Sequence, residues 1–261
     1  MGTALREKEI LRLTHRRKKG LQVHPSAVLS PSVRLGGNVV IMAGVVIDEG
    51  TVVGDGVVIY PNVYVGRDCV IGDKTILYPN VTLRETTRVG RRCRVHSGAV
   101  LGSDGFGFIN MPNARKVKIP QVGSVEIGDD CIIGANAAID RGTLETTRIG
   151  NGVCIDAQVQ VGHNAQIGDR SHIGTMSGIC GSTKIGADVT LGHDVAVVGH
   201  IQIGDGVTAE DCTSITKSLP AGLTVCGMPA VPSEEAHRLR ALERDLPALF
   251  ERVRRLEKQD E

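Results

Sequence analysis

Branched aliphatic residues recur at every sixth position along most of the chain. A first run begins at Val23 and continues without exception to Leu101, and a second begins at Ile127. A third begins at Ile149, and only Ala209 departs from it. The positions are Val23, Leu29, Leu35, Ile41, Ile47, Val53, Ile59, Val65, Ile71, Leu77, Leu83, Val89, Val95 and Leu101; Ile127, Ile133 and Ile139; and Ile149, Ile155, Val161, Ile167, Ile173, Ile179, Ile185, Leu191, Val197, Ile203, Ala209 and Ile215. A repeat of this length predicts one small structural unit used many times.

The period of six predicts short β-strands. A helix of about 3.6 residues per turn cannot keep every sixth residue in one environment, whereas a strand can if a turn follows it. Three such strands would close a triangular coil, and coils would stack about 4.8 Å apart. The small residue that often follows the aliphatic is expected where the chain turns and a Cβ atom would crowd. The pattern therefore predicts an all-β solenoid, a left-handed parallel β-helix of hexapeptide repeats with about ten coils, over residues 23–232.

Two interruptions break the repeat. Residues 103–121 form a loop that is expected to leave the solenoid, and they contain two of the three Phe residues of the chain. Between Ile139 and Ile149 the step is ten residues, which places a four-residue insertion within 141–148. Insertions in solenoids often collect on the binding face, although a tolerated surface loop is the alternative. The exposed Phe residues favour the functional interpretation.

The two ends of the chain differ from the repeats. Residues 233–261 have apolar residues at helical spacing, which predicts a C-terminal helix with a narrow apolar seam. Pro247 is expected to kink or split this helix. Residues 1–22 are a basic extension without the apolar segment of a signal peptide, and 5–19 form either a short helix or a solvated extension. The apolar seam comprises Leu239, Leu242, Leu246, Leu249, Val253 and Leu256.

Composition narrows the functional classes. The net charge is +1, which provides no field for nucleic acid or an anionic membrane, and no apolar run is long enough to span a bilayer. The chain has 33 Gly, three Tyr, three Phe and no Trp, so its core must be narrow and regular. Seven cysteines without a CxxC pair argue against a disulfide framework or a zinc knuckle. We expect a cytoplasmic protein with reduced thiols and no metal.

Residues that are eighteen apart in the sequence should stack in successive coils. This spacing predicts which polar residues lie close together in the fold. His163 and Gly181 should stack directly, and His200 should lie two coils beyond His163, about 10 Å away. An imidazole is a suitable general base, and a glycine exposes a backbone N–H that could stabilise an oxyanion. Asp156 is expected on the adjoining face, where it could orient the base. From spacing alone His193 and His200 remain alternative bases, and any of these histidines could be an ordinary surface residue.

Five segments then resemble the UDP-3-O-(3-hydroxyacyl)glucosamine N-acyltransferases in order and spacing. They are residues 102–108 (GSDGFGF), 118–123 (KIPQVG), 139–143 (IDRGT), 149–152 (IGNG) and 162–164 (GHN). The resemblance covers about residues 24–229. The IDRGT and KIPQ segments are specific to this family, whereas the hexapeptides are shared by all transferases of this fold.

The resemblance implies a cytoplasmic homotrimer with sites between subunits. It implies a 3-hydroxyacyl donor on the 4′-phosphopantetheine of acyl carrier protein, no other cofactor, and the 2-amino group of a UDP-sugar lipid as acceptor in lipid A synthesis. It makes His163 the general base, Gly181 the oxyanion donor and Asp156 the neighbouring acid. The C-terminal helix resembles the family's trimer-bundling tail. Substrate or donor contacts are implied for His200, Asp104, Phe106, Phe108, Lys118 and Arg141.

One departure from the family leaves other interpretations open. The family begins with an additional uridine-binding domain, whereas here the repeats begin near residue 23. The alternatives are a UDP-N-acetylglucosamine O-acyltransferase, an acetyl-CoA-dependent N-acetyltransferase, a β-helix carbonic anhydrase and a non-catalytic trimer that binds acyl carrier protein. A basic surface for the carrier protein or the diphosphate is a further hypothesis, with ordinary solvated charge as its alternative. Its members are Lys116, Lys118, Arg141, Arg148 and Lys217.

Overall fold

The structure is a computed structural model that describes residues 20–112 and 115–257. Short strands occur at nearly every predicted repeat, and one helix follows them. The strands are β1 (Gln22–Val23), β2 (Val28–Leu29), β3 (Arg34–Leu35), β4 (Val40–Ile41), β5 (Val46–Ile47), β6 (Val52–Val53), β7 (Val58–Ile59), β8 (Tyr64–Val65), β9 (Val70–Ile71), β10 (Ile76–Leu77), β11 (Thr82–Leu83), β12 (Arg88–Val89), β13 (Arg94–Val95), β14 (Val100–Ser103), β15 (Phe108–Asn110), β16 (Lys116–Lys118), β17 (Ser124–Ile127), β18 (Ile132–Ile133), β19 (Ala138–Asp140), β20 (Thr146–Ile149), β21 (Cys154–Ile155), β22 (Gln160–Val161), β23 (Gln166–Ile167), β24 (His172–Ile173), β25 (Gly178–Ile179), β26 (Lys184–Ile185), β27 (Thr190–Leu191), β28 (Ala196–Val197), β29 (Gln202–Ile203), β30 (Thr208–Ala209), β31 (Ser214–Ile215), β32 (Thr224–Cys226) and β33 (Val231–Pro232). The helix, α1, spans Ser233–Glu257.

The strands form three long sheets, one for each face of the solenoid. The sheets contain 12, 10 and 9 strands, and each strand pairs with the strand one coil away. Pairing is parallel throughout the stack, and only β33 adds antiparallel to the end of the first sheet. Within the uninterrupted runs the register is eighteen residues, as between Val161 and Ile179. The predicted parallel β-helix of about ten coils is therefore confirmed.

The core is the column of predicted aliphatic residues. From Ile41 to Ile215 every repeat position is at most 4% exposed, whereas Val23 at the open first coil is 42% exposed. A second buried row of small residues fills the corners and includes Cys69, Cys93 and Cys131. All seven cysteines are free thiols. Branched aliphatics on the faces and small residues at the corners explain how a chain almost without aromatics fills its interior.

The corners differ from the sequence expectation in one respect. The left-handed turn residue lies three positions after the aliphatic, as Asn38 does after Leu35, with φ of 56°. Asn, Asp and Gly dominate these turns because they adopt positive φ most readily. The glycine directly after the aliphatic has another role. A Cβ at Gly72 would lie 2.5 Å from the backbone of Gly90 in the next coil, so close stacking requires it.

Both interruptions lie where the repeat predicted them. The first contains the antiparallel hairpin β15–β16 outside the solenoid, and the chain returns at β17. The second is a short excursion between β19 and β20. At the start of the first loop the β14–β19 ladder shifts register between Leu101 and Ser103. The polar side chains considered next lie around these two excursions.

Helix α1 packs chiefly against β32 and β33, and most of its surface is exposed. The predicted seam is present, and Leu239, Leu242 and Leu249 are 41–55% exposed. The helix runs continuously through Pro247, so of the two outcomes expected there, a kink or a split, the split does not occur. The basic extension predicted for residues 1–22 lies outside the described residues as far as residue 19.

Candidate active site

A cavity of about 780 Å³ lies beside the first excursion and contains His163. Its walls come from the second face of the solenoid and from the loop that follows β14. The lining residues are Ser103, Asp104, Phe106, Asp140, Gln160, Gly162, His163, Gly178, Ile179, Cys180, Gly181, Ala196, Val197 and Val198. A groove of similar volume, about 800 Å³, follows the third face but contains no histidine. The first cavity is therefore the candidate site, since it combines a base with an apolar wall.

Gly181 stacks on His163 as the eighteen-residue spacing predicts. A Cβ atom on Gly181 would lie 2.6 Å from Nε2 of His163. The coils are held in this register because Ser182 N donates to the His163 carbonyl at 2.8 Å. Among the described residues the Gly181 N–H has no acceptor. The arrangement therefore places an unused backbone donor next to an imidazole nitrogen.

A hydrogen-bond relay fixes the tautomer of His163. Gln121 Nε2 donates to the Ile119 carbonyl at 3.1 Å, which directs its Oε1 toward Thr143. Thr143 Oγ1 donates to that Oε1 at 3.0 Å and lies 3.4 Å from His163 Nδ1. Since the hydroxyl proton is used toward Gln121, Thr143 accepts from Nδ1–H. The Nε2 lone pair then faces Gly181, as a general base requires.

Asp156 does not take the orienting position within the chain. Its carboxylate accepts from Ala157 N at 2.7 Å, and no hydrogen bond joins it to His163 among the described residues. Thr143 is the residue that orients His163. The six-residue spacing could not indicate this, because Gln121 lies in the first excursion and Thr143 in the second, where the repeat is interrupted. Both residues lie in segments that carry the family resemblance, KIPQVG for Gln121 and IDRGT for Thr143.

The two alternative histidines lie at other positions of the stack. His200 takes a left-handed corner with φ of 62°, and its N–H donates to the Gly181 carbonyl at 3.2 Å. It therefore lies one coil beyond Gly181, as predicted, but it does not line the cavity. His193 also lies outside the lining residues. Within one chain, the described residues include no group of three histidines that could bind zinc as a carbonic anhydrase does.

Asp140 is the buried carboxylate among the lining residues, whereas Asp104 is exposed. Asp140 is 9% exposed, Ser103 Oγ donates to its Oδ1 at 2.7 Å, and Gln160 Nε2 donates to its Oδ2 at 2.9 Å. Burial raises the pKa of Asp140, while these two hydrogen bonds and the nearby His163 oppose the rise. Sequence spacing missed Asp140 because it ends β19, at the point where the second excursion begins.

The loop after β14 covers one side of the imidazole. A Cβ on Gly105 would lie 3.0 Å from His163 Cβ and Cδ2, so only glycine fits there without displacing the ring. Lys118 Nζ pairs with Asp104 at 2.7 Å and joins the two ends of the loop. Both residues were predicted to contact substrate, and the structure shows that they also contact each other.

The two phenylalanines of this loop contact one another at its surface. Phe106 and Phe108 meet edge to face with ring centroids 4.9 Å apart. Phe106 lines the cavity and is 90% exposed, whereas Phe108 lies in β15 and is 39% exposed. A free aromatic side chain at the edge of an apolar cavity is typical of a ligand contact.

Arg141 does not provide free positive charge. It is 7% exposed, its Nε donates to the Gly102 carbonyl at 2.8 Å, and its Nη2 bonds Glu85 Oε2 at 2.9 Å. Its role in the structure is to hold the start of the loop. Arg148 likewise pairs with Glu126 at 3.6 Å. Of the five predicted basic residues, Lys116 and Lys217 are exposed and Lys118 pairs within the loop.

No helix within residues 20–112 and 115–257 combines the length and apolarity needed to cross a bilayer.

The chain was compared with family models, solved structures and curated sequences, and each comparison found transferases. Residues 32–67, 50–85, 68–103 and 146–181 match the family Bacterial transferase hexapeptide (six repeats). Residues 124–163 match the Hexapeptide repeat of succinyl-transferase. Among solved structures, an Arabidopsis UDP-N-acetylglucosamine acyltransferase has a TM-score of 0.72 at 20% identity, covering 78% of this chain and 71% of its own. At that identity the likeness concerns the fold alone.

Curated sequences are much closer. The UDP-3-O-acylglucosamine N-acyltransferase of Coxiella burnetii (strain RSA 493 / Nine Mile phase I) is 45% identical over 237 residues, which are 90% of this chain and 69% of that protein. The protein of the same name from Pseudomonas syringae pv. tomato is 42% identical over 242 residues, which are 92% of this chain and 69% of that protein. Both alignments extend over nearly the whole chain.

Proposed function

Because the chain belongs to the UDP-3-O-acylglucosamine N-acyltransferase family, we propose that it N-acylates a UDP-3-O-acyl-glucosamine in lipid A synthesis. The donor is a 3-hydroxyacyl thioester on the 4′-phosphopantetheine of acyl carrier protein, and the acceptor is the 2-amino group of the sugar. The observation that carries this proposal is the unused Gly181 N–H next to Nε2 of His163.

The geometry supports a direct acyl transfer. His163 Nε2 takes a proton from the amine as its nitrogen attacks the thioester carbonyl, and the C–N bond forms. The Gly181 N–H donates to the oxyanion that develops on the carbonyl oxygen. The C–S bond then breaks, and the proton on His163 passes to the leaving thiolate. Thr143 and Gln121 keep Nδ1 protonated at the start of the cycle, so Nε2 is the basic nitrogen.

The cavity walls are suited to the two parts of the donor. Ala196 and Val198 are exposed apolar residues of the cavity wall and would contact an acyl chain, whereas the side chains of Ile179 and Val197 are buried in the solenoid core behind them. Phe106 and the loop that carries it cover the opposite side. Asp104 with Lys118 supplies a polar rim, where the hydroxyl and phosphate groups of the substrates would be hydrated or bound.

The proposed assembly is a cytoplasmic homotrimer. The seam of α1 includes Leu246 at 43% and Val253 at 42% exposure, so this apolar side is left uncovered by residues 20–112 and 115–257 of one chain. Burial of such a side stabilises by about 25 cal/mol per Å², which supports packing of the helix against the same helix of neighbouring subunits. In this assembly His200 and Asp156 remain candidates for contacts with substrate or with a neighbouring subunit.

The test compares two acceptors with the same donor. Purified protein is incubated with 3-hydroxyacyl carrier protein and either 3-O-acyl-UDP-glucosamine or UDP-N-acetylglucosamine, and products are identified by mass spectrometry. An amide product from the first acceptor alone is expected. An ester product from the second would identify an O-acyltransferase, and carrier-protein binding without either product would identify a non-catalytic trimer.

A further inference from the structure

Three potential metal ligands meet where helix α1 joins the solenoid, far along the chain from His163. Glu210 follows β30, Cys226 ends β32, and His237 lies in the second turn of α1. One ligand atom of each lies within 4.8 Å of the other two, and Glu210 Oε2 is 3.8 Å from His237 Nε2. Cys226 is buried, whereas His237 is exposed. The cluster is therefore buried on the side of Cys226 and open to solvent on the side of His237.

We propose that Glu210, Cys226 and His237 bind a zinc-class divalent transition metal. Thiolate, imidazole and carboxylate are the three ligand types that zinc prefers. At the usual bond lengths, the ligand atoms of a tetrahedral zinc site are about 3.3–3.8 Å apart. The Glu210–His237 separation of 3.8 Å exceeds the value of about 3.3 Å expected for an oxygen and a nitrogen on one zinc ion, and all three ligand atoms lie within 4.8 Å of one another, so binding requires side-chain movements of about 1 Å.

A fourth polar group points to the same place. Ser233 begins α1, and its Oγ is buried without a hydrogen-bond partner among the described residues. A buried hydroxyl with no partner is costly unless water or an ion satisfies it. Ser233 lies one helical turn before His237 on the same face of α1, so its hydroxyl is on the side of the helix that carries the proposed ligand. The Ser233 hydroxyl, or a water bound to it, is therefore available as a fourth ligand.

The charges around the cluster are compatible with a dication. A carboxylate and a thiolate neutralise the two positive charges of zinc, so the occupied site has no net charge. Arg240 lies near Glu210 and disfavours an isolated cation, but it has little effect on a neutral site. On binding, the S–H bond of Cys226 is replaced by an S–metal bond, and the proton is released to solvent.

The position of the site gives it a structural consequence. Helix α1 contacts the solenoid chiefly through β32 and β33 at its start, and Ala236 is its buried apolar residue there. A metal bound by one ligand from the helix and one from each of the last two coils would fix the direction in which the helix leaves the solenoid. The apolar seam of α1 would then be presented at a defined angle to its partner.

The first test measures zinc and cobalt binding by the full chain after EDTA treatment and gel filtration. We expect one zinc per chain, and for Co²⁺ a thiolate charge-transfer band in the near ultraviolet. Cys226→Ser should abolish that band, and His237→Gln should weaken zinc binding by at least about tenfold, as loss of supporting groups at metal sites does. Cys212→Ser, two residues after Glu210 but outside the cluster, and His193→Gln, at another exposed position, are the matched controls and should bind like the parent.

A second readout does not depend on the buried Cys226 substitution. His237 is exposed, so His237→Gln should fold, as circular dichroism will check. Zinc should slow tryptic cleavage after Arg238 and Arg240 in the parent chain but not in this variant. Zinc binding that is absent, or equally strong in the parent and in both ligand variants, would overturn the proposal and leave an ordinary hydrogen-bonded cluster around Glu210.

Discussion

Gly181 lies over the imidazole of His163 so closely that a Cβ atom would come within 2.6 Å of Nε2. The two residues are eighteen apart and belong to successive coils, so their contact is maintained by the register of the stack. Any side chain at position 181 would displace the base and cover the N–H that faces it. The solenoid thus sets both the position of the base and the space next to it.

Replacement of Gly181 tests this contact. In Gly181→Ala the methyl group should push the imidazole aside while the backbone N–H remains, and kcat should fall by about 100-fold or more, as loss of a general base does. Stability should change little because φ at this position is not positive. Gly37→Ala is the control, since its Cβ would meet only Asp55 Oδ1 at 3.8 Å. Equal kcat values for the two variants would show that the Gly181–His163 contact is not used.

The relay through Thr143 makes a separate prediction. Thr143→Val keeps the shape but removes the acceptor for Nδ1–H, so the tautomer with a basic Nε2 loses its support. We expect kcat to fall by part of the roughly 100-fold to 10,000-fold that a general base supplies, with KM nearly unchanged. Thr143→Ser retains the hydroxyl and should recover most of the rate. A Ser variant as slow as the Val variant would indicate a packing defect instead.

The buried carboxyl group of Asp140 should make the free energy of unfolding depend on pH. Because burial raises its pKa, the folded state holds the proton more tightly than the unfolded state. The stabilisation from the protonated Asp140 is fully present below the pKa of this group in the unfolded chain. It is lost as the pH rises through the pKa of Asp140 in the folded protein. Asp140→Asn should therefore gain stability relative to the parent between pH 3 and pH 7 in urea titrations.

The matched control is Asp188→Asn, for which the change in unfolding free energy with pH should have the opposite sign. Arg170 pairs with Asp188 at 2.6 Å and lowers the pKa of that exposed carboxyl. Its stabilising contribution is present above the unfolded pKa and is lost as pH falls through the folded pKa. Asp188→Asn should therefore lose stability relative to the parent over the same interval. The account of Asp140 fails if both variants change in the same direction.

The Arg141–Glu85 pair should be important for stability. Removal of the guanidinium leaves the buried Gly102 carbonyl without its donor and leaves the half-buried Glu85 with only Arg84 as an ion-pair partner, so Arg141→Ala should cost about 1–3 kcal/mol of unfolding free energy. A double-mutant cycle with Glu85→Gln should give a coupling of about 1–3 kcal/mol. Arg170→Ala breaks a shorter but exposed pair and should cost much less. A loss no greater than that of Arg170→Ala would contradict the structural role.

The fold could be predicted from the sequence because its core is one-dimensional. Each aliphatic position recurs after six residues, so Ile155 and Ile173 share an environment whatever lies on the surface. The same arithmetic correctly stacked His163 with Gly181, since no insertion lies between them. It failed to distinguish the glycine after each aliphatic from the left-handed corner residue, because both positions favour small or polar residues for different steric reasons.

The partners of His163 could not be predicted in this way. Thr143, Gln121 and Asp140 lie in or next to the excursions, where the register shifts and residue spacing no longer gives distance. The burial of Arg141 was likewise invisible, since its partner Glu85 is 56 residues away on another coil. The Glu210–Cys226–His237 cluster has no motif spacing either, because its third member is on the helix.

The most direct test of the proposed catalysis is the N-acylation rate of His163→Ala beside the parent chain, with 3-hydroxyacyl carrier protein and 3-O-acyl-UDP-glucosamine. Both proteins should be equally folded, as judged by gel filtration and circular dichroism. We predict amide formation by the parent and a kcat at least about 100-fold lower for the variant. A folded variant that turns over at the parental rate would contradict the assignment of His163 as the general base.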